Sequence, residues 1–156
     1  MKELFEYRIK MIERLREAAQ EFRVECESFQ NPHEKVNDEW TIHQIASHTR
    51  DVDKFIYGGR IRRTLCEDNP EFKSFDADEW MKNNYNREES LAGILGELMN
   101  NIEEICDTLN SQPQGAWSRI SCHETIGEGL ALQLWVERSL AHIEEHLLTL
   151  KKAKNK

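Results

Sequence analysis

Between residues 91 and 109 the apolar residues Leu91, Ile94, Leu95, Leu98, Ile102, Ile105 and Leu109 recur mostly at steps of three and four, a spacing that only an α-helix gathers onto one side. Pro113 cannot continue such a helix and closes it. The same period runs through Phe5, Ile12, Leu15, Ala19, Phe22, Cys26 and Phe29, which predicts a first helix over residues 2–29, ended near Pro32. In "EWTIHQ", Thr41 and Gln44 form a capping-box pair that opens a second helix, with Ile42, Ile45, Val52, Ile56 and Gly59 on its apolar side as far as about Leu65. Asn86 with Glu89 is the expected cap of the third helix. Thr125 with Glu128 is that of a fourth, whose core face is Leu132, Val136, Leu140, Ile143, Leu147 and Leu150. The connection 67–86 carries one short helical turn, signalled by Asp76 and Glu79. No strand run and no internal repeat stands out.

Four amphipathic helices of ~25 residues bury their stripes best against one another, so the expected fold is all-α, an antiparallel four-helix bundle with a long connection after helix 2. A chain of 156 residues can build one core of its own, and residues 1–156 read as a single domain. The two longer connections exceed the usual helix–helix loop, which suggests that they line something.

Charge narrows the function. A net charge of −8 disfavours binding to a phosphate backbone, and the basic stretches "RIRR" and "KKAKNK" are not interleaved with aromatic residues, so no nucleic-acid partner is expected. No apolar run suits a membrane span or a leader, and Cys26, Cys66, Cys106 and Cys122 contain no CxxC pair. The reading is a cytoplasmic protein with reduced thiols, Cys26 and Cys106 on core stripes, and no membrane partner.

Against this background the histidines stand out. His142 and His146 lie one turn apart within "SLAHIEEHLLTL", close enough for two imidazoles to meet one metal ion, and His48 leans inward between Ile45 and Val52. His43 shares a polar row with Ser47, Arg50 and Lys54 and is expected to be solvated. An isolated HxxxH is more often a pair of ordinary residues at a core margin. Three inward-leaning imidazoles on two helices favour a metal, because burying them without partners costs free energy. "HIEEH" also fits the inverted zinc-peptidase pattern with Glu145 as base, but that pattern needs an acidic ligand well downstream and only ten residues follow. A di-iron bundle wants further inward acids, which the third helix does not offer.

Three features together resemble the DinB superfamily, the damage-inducible four-helix bundles that include bacillithiol-, mycothiol- and glutathione-dependent transferases: "W-TIHQIAS-H" with Trp40 eight residues before His48, "FDADEW" after that helix, and "AHIEEHLLTL" at the end. The resemblance implies His48, His142 and His146 as a metal triad between helices 2 and 4, and a homodimer as the form of assembly.

Three neutral imidazoles leave a coordination position open, and a cation there would draw the proton from a thiol or a water near neutral pH. The favoured function is therefore a metal-dependent thiol S-transferase, or related hydrolase, acting on small electrophilic molecules. Zinc or nickel is the expected divalent ion and a low-molecular-weight thiol the co-substrate. The alternatives are a non-catalytic metal-binding stress-response bundle and a metal-free bundle. Asp51 is a candidate to orient a ligand ring. Asp76, Trp80, Arg60 and Trp135 are candidate substrate-pocket residues, with simpler roles open to them as a cap, a packing aromatic and a solvated charge. Arg63 stands with Arg60 as a possible carboxylate receptor. Cys122 and His123, in the loop before the last helix, could approach the site.

Overall fold

In the computed structural model, which describes residues 2–155, the helical periods become five rods. α1 spans Lys2–Glu27, with Ile12, Leu15, Ala19, Phe22 and Cys26 buried but Phe5 exposed. Thr41 and Gln44 make the capping box at the start of α2, Ile42–Val52. That helix passes without a break through one π-helical turn, Asp53–Tyr57, into α3, Gly58–Cys66. Asp76 accepts a hydrogen bond from the Glu79 N–H and so caps α4, Ala77–Asn84. α5 covers Leu91–Asn110 and α6 Leu132–Lys154.

Two of the expected caps are elsewhere. Ser90 caps α5 by accepting from the Gly93 N–H, while Asn86 is spent on the preceding turn, where it accepts from the Glu88 N–H. Thr125 and Glu128 cap nothing, because their segment is a β-hairpin: β2, Ile120–His123, runs antiparallel to β3, Gly127–Ala131, and β1, Glu71–Phe72, pairs parallel to β2. Gly127 and Gly129 have φ of +124° and +67°, left-handed backbone that a glycine adopts freely and a helix excludes. The fold is mostly helical with this small sheet, so all-α is an approximation. Strands of two to five residues are too short to show an alternating pattern.

Contacts between the rods give their directions. α1 and α6 run parallel, since Arg8 meets Gln133, Arg14 meets Glu144 and Lys154 meets Glu25. α2–α3 and α5 also run parallel: Arg50 meets Glu89, Lys54 meets Glu97 and Arg62 meets Glu104. The two pairs oppose each other: Ile12 meets Cys106 while Arg16 meets Glu103, and His48 meets His142 while Arg60 lies over Trp135. The order is up, down, down, up, and this corrects the expectation of an antiparallel bundle. The physical reason is the segment 67–90, which returns along the bundle so that the third long helix starts from the same end as the second.

That return also buries the polar row of α2. His43, expected in solvent, is 1% exposed; its Nδ1 lies against the Tyr85 hydroxyl and its Nε2 2.6 Å from the Glu89 carbonyl oxygen. Arg50, also buried, answers Asp51, Glu89 and Glu97 together. His43 thus fastens the returning segment to the start of α2. One apolar core joins all four long rods, with Leu15, Phe22, Ile45, Leu98, Trp117 and Trp135 among its fully buried side chains.

Candidate metal centre

His48 projects from α2, and His142 and His146 from successive turns of the antiparallel α6. The Nε2 atoms of His48 and His142 are 3.2 Å apart, those of His142 and His146 are 3.0 Å apart, and the ligand atoms of all three lie within 4.8 Å of one another. Among the described residues this is the group of histidine, cysteine and carboxylate side chains that comes close enough together to hold one ion.

The geometry can be weighed against two occupants. A hydrogen bond between ring nitrogens needs one protonated and one bare, and each bare Nε2 offers a single lone pair. His142 Nε2 therefore cannot serve both neighbours as acceptor, so protons alone satisfy the cluster incompletely. Two nitrogens on a tetrahedral ion at ~2.0–2.1 Å sit about 3.3–3.4 Å apart, near the separations found. Burial keeps the rings neutral and their lone pairs available: His48 and His146 are pushed down to about 4, and His142, between two other imidazoles, to about 2. The donor set fits a divalent cation.

Around the rings, Trp40 packs on His48 at 5.2 Å between centroids and Tyr57 on His142 at 5.8 Å. Tyr57 reaches the site through the π turn. In a regular helix it would point about 180° away from His48, nine residues earlier; the turn absorbs one extra residue and takes back about 100° of that. A cleft of about 300 Å³ opens at His142, walled by Tyr57, Arg138, Ala141 and Glu145. A larger one of about 430 Å³ between Trp40, Gln44, Asp78 and Tyr85 includes none of the three histidines.

The other candidates from the sequence are dispersed. Asp51 does not orient a ligand ring: its Oδ1 accepts from Arg50 Nε and its Oδ2 from Trp80 Nε1, both about one hydrogen bond away at 2.9 and 3.1 Å. Asp76 is the cap of α4, and Trp80 packs at a tilt against Phe55 and Phe75. Trp135 lies in the core, 0% exposed, donating to Ser121 Oγ. Arg60 is buried above Trp135 and donates from Nη2 to the Lys73 carbonyl oxygen, with His123 Nε2 at 3.3 Å. Arg63 pairs with Glu67 on the surface. Cys122 donates to the Pro70 carbonyl oxygen, so neither it nor His123 stands with the triad, and Cys26 and Cys106 are buried in the core. Tyr57 and Arg138 were not marked as lining a site by their place in the sequence, and Glu145 only as the base of the rejected peptidase pattern; Arg138 four residues before His142 and Glu145 three after it share its face of the helix, and that spacing is the signal that finds them.

A helical bundle with three converging histidines on its second and last long helices defines a recognisable class. The chain belongs to the DinB superfamily, whose sequence model matches residues 10–150. Among solved structures it is similar to YfiT from Bacillus subtilis, described as a probable metal-dependent hydrolase with an unusual four-helix bundle topology. The TM-score is 0.86 at 19% identity, over 96% of this chain and 87% of that one. At that identity the likeness establishes the fold. No curated protein sequence gives a significant match.

Proposed function

We propose that the chain binds a divalent metal, zinc or nickel, through His48, His142 and His146, and joins a low-molecular-weight thiol to a small electrophilic molecule. The observation that carries this reading is the convergence of three neutral Nε2 atoms at 3.0 and 3.2 Å. A divalent ion held there supplies a Lewis acid that turns a thiol or a water into a nucleophile near neutral pH. The chain itself contributes the rest. Neutral imidazoles present lone pairs, Trp40 and Tyr57 shield two of the rings, and the cleft at His142 admits a small molecule to the cluster. Trp135, one turn and more before His142 on the same helix, is committed to the core and does not seal the cluster, which favours a working site over a silent, structural ion. The proposed setting is the cytoplasm, with small molecules as partners.

Hydrolysis is the second reading, favoured by the description of YfiT as a probable metal-dependent hydrolase. It uses the same three histidines with water in place of the thiol.

Elemental analysis of the purified protein tests the centre. His48→Ala, His142→Ala and His146→Ala are each expected to lose at least nine-tenths of the bound metal, while His33→Ala keeps it. Equal metal content in all four would end the reading. Assays of the loaded protein with electrophiles plus thiols, and with esters and amides without thiol, then separate transfer from hydrolysis.

A further inference from the structure

Arg138, Ala141, His142 and Glu145 occupy positions i, i+3, i+4 and i+7 of α6, one stripe that forms a wall of the 300 Å³ cleft facing Tyr57. The chain has 29 acidic and 21 basic residues, and Arg14, Arg16, Arg23, Arg50, Arg62 and Arg63 each lie within 4.0 Å of a carboxylate. Arg138 has no such partner among the described residues. Glu145 has no cation within that distance either, although Glu144 beside it takes Arg14. Two turns of helix separate the two, about 10 Å along the axis, with His142 between them.

Behind the Arg138 end stands Arg60, a second guanidinium without a carboxylate, held by the Lys73 carbonyl oxygen and stacked on Trp135. Burial chiefly presses its pKa down and Arg138 adds to that in the same direction, so the two cations share one neighbourhood. The cleft is therefore positive at one end and negative at the other. Its volume, at the small end of ligand pockets, suits a molecule of amino-acid or dipeptide size.

We propose that this cleft is the recognition subsite for a co-substrate carrying both a carboxylate and an ammonium group, with the carboxylate on Arg138 and the ammonium on Glu145, beside His142. The thiol character of that co-substrate rests on the function proposed above; the charge recognition does not. Each charge-assisted contact is expected to improve affinity about tenfold.

Four thiols separate the terms: L-cysteine has both charges, 3-mercaptopropionate the carboxylate, cysteamine the ammonium, and 2-mercaptoethanol neither. Each is titrated into the full chain, cobalt(II)-loaded and metal-free, with binding read by calorimetry and sulfur coordination by the sulfur-to-cobalt absorption band. Cysteine is expected to bind tightest, by about tenfold over either singly charged thiol. Arg138→Gln should bring cysteine down to cysteamine without weakening cysteamine, and Glu145→Gln should bring it down to 3-mercaptopropionate. Both side chains are exposed, and unchanged far-UV circular dichroism checks that the variants fold. Equal affinities for all four thiols, no heat from any, or a ranking unchanged in both variants would overturn the subsite. A preserved calorimetric ranking with no absorption band would leave the subsite standing and remove the thiol reading. If cobalt fails to load, the metal reading falls and the ranking on the metal-free chain decides the subsite.

Discussion

The three clustered histidines set a pH dependence that the metal-free protein should display. Burial holds His48 and His146 near 4 and His142 near 2, whereas an unfolded chain returns them to about 6.5. Below that value the unfolded state takes up protons that the folded state refuses, so stability is fully present above pH ~6.5 and falls progressively toward pH 4. Urea unfolding followed by circular dichroism at several pH values should show this fall in the metal-free wild type and a shallower one in His48→Gln. Asp53 acts in the opposite sense. Its carboxylate is 2% exposed with neither oxygen hydrogen-bonded, and burial pushes it up to about 7. The folded chain keeps that proton as pH rises from about 4 to 7, and stability declines over the window. Asp53→Asn is therefore expected to gain more over wild type at pH 8 than at pH 5, again read by urea unfolding. At this scale the cluster was legible because His48 and His146 are each flanked along the helix by apolar residues and His142 lies one turn from His146. His43 was not, since its polar row says nothing of the returning segment that covers it.

Among the elements, the π turn does most to shape the site and left no trace in the apolar period. The stripe Ile42, Ile45, Val52 and Ile56 reads as one regular helix, and the extra residue is taken up where Asp53 turns inward. Gly58 is the residue that permits it: a Cβ there would meet the Asp53 carbonyl oxygen at 2.5 Å and Ile105 Cδ1 at 3.0 Å. Gly58→Ala should cost roughly 1–3 kcal/mol by overpacking, measured by thermal or urea unfolding, whereas Gly59→Ala, with its nearest contact at 3.4 Å, should fall well short of that. The capping box at Thr41 was readable because both partners are local in sequence. The start of α6 was not, because Arg119, β1 and the hairpin that precede it are organised by distant partners: Arg119 donates to the carbonyl oxygens of Thr64 and Glu67 at the end of α3.

For the whole molecule, the centre joins α2 to α6 across the bundle, so an ion bound only by the folded chain raises stability by mass action. Saturating zinc or nickel at a hundred times its dissociation constant should add about 2.7 kcal/mol, seen as a higher Tm that His142→Ala abolishes. The number and approximate length of the long helices could be read from periodicity alone, but their directions could not, since a stripe specifies which side is buried and not which way the chain travels. The parallel course of α1 and α6 has a consequence for re-engineering. The first turn of the 26-residue α1 and the last turn of α6 stand at opposite poles of the bundle, about 39 Å apart if α1 sets the span. Circular permutation therefore demands a bridge of at least about a dozen extended residues. A permutant given five should exchange helices with a second copy, while one given twenty should remain a monomeric fold.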